Sequence, residues 1–292
     1  MSRNVRSPRT GVKRVISASR RTDLTASFPD WMAEAIRNRK ALVFGPSGRT
    51  RVVDLDPDTV HTFVLWSKNF ANLTGNRQGL RDLLREYAQL YFHFTVTGLG
   101  GTSWERDVPP AREALRQLEP LIAIAGHPGR VSLRFDPVIT WREAGQEMTN
   151  LHQFADFADT AASLGIRDIR FSFAQWYGKS RRRAARQGFG FIDPPEAEKI
   201  RAAHVLAGIA RERGLRLYSC SQNYLAAVPG VEPSACIDGR LLQSLHPGQE
   251  GVSTAKDRSQ RSECRCTESV DIGSYTQACP HGCVYCYANP KA

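Results

Sequence analysis

Hydrophobic residues in this chain fall into short β-branched or aromatic runs, separated by longer stretches with helical spacing. Val12–Ser17, Val60–Trp66, Tyr91–Thr97, Arg130–Pro137, Ile166–Phe173 and Leu215–Cys220 are continuous enough to read as strands of a buried sheet. Between them, Pro29–Asn38, Leu80–Leu90, Pro110–Ile124, Asn150–Leu164 and Pro195–Arg213 read as helices, with apolar positions three and four apart. Leu42–Pro46 and Thr50–Leu55 suggest a hairpin inserted between the first two strands, and Glu268–Tyr275 is a last extended segment. Alternation of this kind means βα units and a parallel sheet. No G-x-G-x-x-G follows the first strand, so a partial or complete parallel (β/α) barrel is expected rather than a dinucleotide-binding sheet. The chain divides into a basic tail, 1–11, and one domain, 12–292. Within that domain 221–267 is irregular and long for a loop.

Polar residues gather where the strands end: Ser19-Arg20-Arg21-Thr22-Asp23, Ser67-Lys68-Asn69, Thr95 and Thr97, Arg134 and Asp136, Ser172, and Cys220-Ser221-Gln222-Asn223. Any one of them is ordinary strand-end capping. Together they mark the end of a parallel barrel where active sites lie.

Composition adds little until charge is considered. At 292 residues and 41% hydrophobic, the chain can bury a sizeable core, and no apolar run approaches a membrane span. The first residues contain no apolar stretch of the secretory kind, so a cytoplasmic protein without membrane contact is expected. The formal net charge is +11, and ten of those charges sit in two runs without an acid, 1–14 and 179–186. The runs suit either a solvated tail and loop or a nucleic-acid contact. Trp176-Tyr177, just before the second run, suits base stacking or packing on the barrel rim.

The seven cysteines change the picture most. In a reducing compartment they argue for metal binding rather than disulfides. Cys279, Cys283 and Cys286 form Cys-x3-Cys-x2-Cys on one tight loop, which can hold three irons of a 4Fe–4S cube and leave the fourth open. A zinc site with His281 as fourth ligand is the other reading, though a histidine inside the same loop is strained for that role. Cys220, Cys236, Cys264 and Cys266 can fully ligate a second iron–sulfur cluster or a zinc ion, or be separate buried thiols.

The Cys-Pro-His-Gly-Cys-Val-Tyr-Cys-Tyr-Ala-Asn sequence, with Tyr285 just before the third cysteine, resembles the radical S-adenosylmethionine (SAM) superfamily, in particular its spore photoproduct lyase-like branch. The resemblance implies that a 4Fe–4S cluster chelates SAM through its open iron and cleaves it reductively to a 5′-deoxyadenosyl radical that abstracts a substrate hydrogen. It also implies a flavodoxin- or ferredoxin-type electron donor, and places Tyr285 near the adenine. The superfamily carries this motif after its first strand, whereas here it ends the chain, so a circular permutation is expected in which 268–275 lies beside 12–17. No Gly-Gly-Glu-like sequence is present for the SAM amine. Asp23 is a candidate for that group, Arg20 or Arg21 for the SAM carboxylate, and Lys68, Arg134 and Asp136 complete the candidate cofactor-binding set. Nearly the whole chain resembles a bacterial family of unknown function through Ser17-Ala-Ser-Arg-Arg-Thr-Asp23, Trp66-Ser-Lys-Asn69, Arg134-Phe-Asp-Pro137, Cys236-Ile-Asp-Gly239 and Glu263-Cys-x-Cys266. A non-catalytic protein stabilised by zinc or iron–sulfur, with nucleic acid as a partner, is the competing class.

Overall fold

Eight strands form one sheet in the computed structural model, which describes residues 11–288. In chain order they are β1 (Arg14–Ala18), β2 (Val60–Ser67), β3 (Leu90–Thr95), β4 (Val131–Val138), β5 (Asp168–Phe173), β6 (Arg216–Ser219), β7 (Val231–Pro233) and β8 (Val270–Asp271). Their order across the sheet is β7-β6-β5-β4-β3-β2-β1-β8, and every neighbouring pair is parallel. β8, last in the chain, pairs with β1, first in it, in the register Ile16–Val270 and Ser17–Asp271. That is the placement the permuted order requires. The outer strands β7 and β8 form no ladder with each other, so the molecule is an open, curved α/β arrangement rather than a closed barrel.

Successive side chains of a strand point to opposite faces, and here the two faces differ in chemistry. The outer face carries Phe63, Leu65, Phe92, Phe94, Leu133, Phe135, Ile169 and Phe171, all fully buried in one core with the helices. Helix Phe154–Ser163 shows why: Phe154, Phe157, Ala158 and Ala161 recur at helical spacing, and the first two meet Phe135 ring to ring. The inner face carries Ser17, Trp66, His93, Arg134, Asp136 and Arg170, which a helix layer could not have satisfied.

The irregular segment covers that inner face. The Cys236 carbonyl meets His93 Nε2 at 2.7 Å, the Leu242 carbonyl accepts from Gln89 at 2.9 Å, and the Glu250 carbonyl meets His61 Nε2 at 2.9 Å. Ile237, Leu242 and Val252 pack on Val15, Val64 and Tyr91. What looked like an overlong loop is a plug, and its own β7 extends the sheet.

The structure corrects several boundaries. The helix expected over 80–90 is Leu80–Leu84, because Gln89 turns inward and Leu90 already belongs to β3. The hairpin between β1 and β2 is Lys40–Phe44 with Thr50–Asp54. A second hairpin, Thr140–Glu143 with Gln146–Thr149, carries Gly190–Ile192 as a third strand and was not legible, since most of its side chains are partly exposed and follow no clear alternation. The last extended segment contracts to β8. The 179–186 run, expected to be a loop, is the helix Gly178–Arg186. No helix among the described residues is long and apolar enough to cross a membrane. The basic tail, apart from Gly11, and Arg3, Arg6 and Arg9 of the 1–14 run lie outside the described residues.

Candidate functional site

Pairing of β8 with β1 delivers the cysteine loop to the C-terminal ends of the strands. Just before it, Asp271 accepts from Ser17 Oγ at 2.9 Å and from the Arg20 amide at 2.8 Å, which joins the end of β8 to the end of β1. The loop then turns at Gly282, whose φ of +62° favours glycine. Its one large apolar side chain, Val284, is fully buried among Leu99, Trp104, Ile139 and Trp176.

Two buried side chains hold the loop from opposite sides. His281 Nε2 meets Asp23 Oδ2 at 2.9 Å, and its Nδ1 meets the Asp107 carbonyl at 3.0 Å. Both partners only accept, so both ring nitrogens donate. Burial works against the imidazolium, but the hydrogen bond and charge of Asp23 outweigh it and hold the pKa above the usual histidine value. From the other side, Arg183 Nη1 donates to the carbonyls of Val284 at 2.9 Å and Cys286 at 3.0 Å, with Cys283 at 3.4 Å.

Asp23 is used in full. Its Oδ2 also accepts from Ser67 Oγ at 2.8 Å and the Lys68 amide at 2.9 Å, while Oδ1 caps the short helix Leu24–Ser27 through the Ala26 amide. It therefore ties the ends of β1 and β2 to His281. Lys68 reaches Glu105 at 2.9 Å, and Glu105, 1% exposed, also accepts from Thr97 Oγ1 at 2.6 Å and from the Tyr285 hydroxyl. Burial disfavours the Lys68 ammonium, and Glu105 more than restores it, so its pKa is raised.

The remaining candidates divide into two groups. Arg21, more than a third exposed, is held at the mouth by Asp271 and the Gly273 carbonyl and lies over Tyr275. Arg20, Arg134 and Asp136 instead face the interior, where Arg134 pairs with Asp136 and both arginines lie over Trp66. The other four cysteines gather there as well. Cys220 and Cys236 have sulfurs 3.7 Å apart, and Cys264 and Cys266 are buried in the same cluster as Cys236.

Burial pushes the loop thiols up, Cys279 to about 11, so each keeps its proton until a cation draws it off. Three thiols on one loop suit a soft metal or an iron–sulfur cluster. Among the described residues, no three Cys, His, Asp or Glu donors already stand in metal-binding geometry. His281 has neither nitrogen to spare.

Sequence reasoning missed Glu105 and Arg183. Glu105 is the first acid after a strand and the glycine-rich turn that follows it, which was a usable signal. Arg183 was hidden among five cations; its mark was the helical spacing of the small buried residues Ser180 and Ala184 around it. Trp176, weighed as a stacking residue, is buried against Phe191 with ring centroids 4.2 Å apart.

A pH dependence follows from the inner face. Burial lowers the pKa of His61, His93 and His246, helped at His93 by Arg170 and Arg134. The unfolded chain takes these protons first, near pH 6.5, so their contribution to stability is full above that value and lost as the pH falls. His281, with its raised pKa, works in the opposite sense. Three histidines outweigh one, so the urea midpoint is expected to fall as the pH is lowered from 7.5 to 5.5. A midpoint that rose over that range would refute the assignment.

No curated protein matches the chain. Residues 15–288 match the model of a domain of unknown function, DUF1848, and that span, nearly the whole chain, makes this protein a member of the DUF1848 family.

Proposed function

We propose that the chain is an iron–sulfur enzyme of the radical SAM type, acting on a substrate held at the C-terminal mouth of the sheet. The observation that carries this reading is the state of His281. With both ring nitrogens engaged by Asp23 and Asp107, the loop offers three thiols and no fourth donor. Three thiols are too few for a closed zinc site and the right number for a cube with one open iron.

Cys279, Cys283 and Cys286 are the ligands in this reading. When bound, an open-iron cluster supplies the electron that cleaves the SAM sulfonium and releases a 5′-deoxyadenosyl radical. The chain's own residues position and enclose. Arg183 and His281 fix the loop, and the Trp104 and Trp176 aromatic cluster seals its outer side from water. Arg21 is the cation at the mouth best placed for a carboxylate, since Arg20 lies inward and Asp23 is already committed to the fold. Lys68, Glu105 and Tyr285 form a polar wall behind Cys283.

The test is anaerobic reconstitution with iron and sulfide. Brown protein is expected that releases 5′-deoxyadenosine from SAM on reduction with dithionite, and replacing Cys279, Cys283 and Cys286 by alanine is expected to abolish that release and to remove the iron bound at this loop. Colourless protein holding only zinc would sink the proposal.

A further inference from the structure

The inner face of the sheet holds three guanidinium groups with too few carboxylates to match them. Among the described residues Arg170, 2% exposed, forms no ion pair and its Nε has no partner; it donates to Ser132 Oγ and approaches Tyr91 OH at 3.4 Å and the Ala235 carbonyl at 3.5 Å. Arg20 donates from Nη1 to Ser269 Oγ at 3.1 Å, and its buried Nη2 has no partner. Arg134 pairs with Asp136, yet its buried Nε is likewise unpartnered. A buried cation without a counter-charge, as Arg170 is, costs several kcal/mol, and the partly buried Arg20 and Arg134 beside it bring one paired carboxylate, Asp136, between them, so a further anion facing the three would be stabilising.

What they face is sulfur. Arg20 is within electrostatic reach of Cys266, Arg134 and Arg170 of Cys236, and Arg134 also of Cys220. The four cysteines come from separate places: Cys220 from the end of β6, Cys236 from just after β7, and Cys264 and Cys266 from the approach to β8. They meet in one buried cluster, in which the Cys220 and Cys236 sulfurs stand 3.7 Å apart. Sulfurs bonded at about 2.3 Å to one tetrahedral metal ion stand about 3.75 Å from each other. The Ile237 amide also donates to the Cys266 sulfur at 3.4 Å. A backbone N–H directed at sulfur suits a thiolate better than a thiol.

We propose that Cys220, Cys236, Cys264 and Cys266 form a second, closed metal–thiolate centre for zinc or iron, whose net negative charge neutralises Arg20, Arg134 and Arg170. Four thiolates on a divalent ion, or on a cluster core of charge +2, carry a net charge of −2, and binding releases the thiol protons to solvent. The centre fastens the plug to β6 and to the lead-in of β8, and so holds the strand that delivers the other cysteine loop. It does not depend on SAM chemistry at that loop.

The experiment uses the full chain with Cys279→Ala, Cys283→Ala and Cys286→Ala, purified anaerobically, so that metal at the first loop is excluded. About one metal centre per chain is expected to remain. Zinc or iron without acid-labile sulfide marks a single ion, and iron with equal sulfide marks a cluster; either is the proposed centre. Adding Cys264→Ser and Cys266→Ser is expected to remove it. Should that variant fail to fold, X-ray absorption at the metal edge of the triple variant reads the ligands directly, with four cysteine sulfurs expected. The proposal is overturned if the folded triple variant holds no metal, if fewer than three cysteine sulfurs surround the metal, or if Cys220 and Cys236 are joined in a disulfide. Failure of the radical SAM reading is seen separately, in wild-type protein that gains no iron over the triple variant and releases no 5′-deoxyadenosine.

Discussion

Replacing Glu105 with alanine is expected to destabilise the protein by about 3–5 kcal/mol, the cost of leaving one partner of a buried ion pair uncompensated. The size follows from how many groups this carboxylate serves. It is 1% exposed and takes the Lys68 ammonium, itself 14% exposed in its side chain, together with the Thr97 and Tyr285 hydroxyls. Glu105→Gln keeps the shape and removes the charge, so it leaves Lys68 stranded and its cost is expected to approach that of the alanine variant. Lys68→Met combined with Glu105→Gln removes both charges and is expected to recover most of the loss, because no buried charge is then left without its partner. Urea titration of wild type, Glu105→Gln, Lys68→Met and the double variant measures this cycle. Additive costs, with no recovery in the double variant, would show that the two groups do not act as a pair.

Arg183→Met is expected to cost about 2–4 kcal/mol in stability, with charge-assisted hydrogen bonds at about 1.5–3 kcal/mol each and three carbonyls sharing one guanidinium nitrogen. Methionine preserves the packing of the long side chain and removes only the donors. The carbonyls belong to Cys283, Val284 and Cys286, so the loss falls on the loop itself, and iron retained after reconstitution is expected to drop along with stability. Arg183→Lys restores the charge but not the planar fork and is expected to fall between the two. Iron loading equal to wild type in Arg183→Met would show that the clamp supports the fold and not the loop.

The strands legible in sequence were those whose inner and outer side chains are both buried. β2 and β3 are buried at every position and mostly apolar or aromatic, because helices cover one face and the plug the other. β7 and β8 sit at the sheet edges with only three and two residues, too few to show a period. For the same reason the exposed hairpin at 140–149 escaped notice. The site was legible where its chemistry is local. Cys-x3-Cys-x2-Cys is a statement about one loop, and its spacing is written in consecutive residues.

Everything that supports the loop is non-local. Arg183 lies about a hundred residues from the carbonyls it binds, and Glu105 about 180 from Tyr285. His281 shows the limit most clearly. Spacing alone left it a candidate fourth ligand, and its engagement with Asp23 and the Asp107 carbonyl depends on β8 folding back beside β1. The amino-acid order by itself determined the βα alternation, the seven cysteines and their division into a loop and a dispersed four, because periodicity and spacing are properties of neighbouring residues. Only the tertiary structure decided that the dispersed four meet beside the inner-face arginines and in what register the last strand, set beside the first by the family resemblance and not by any pattern of residues, pairs with it. Those facts come from pairing and burial between segments up to about 250 residues apart, where no pattern in the chain records which partner will be chosen.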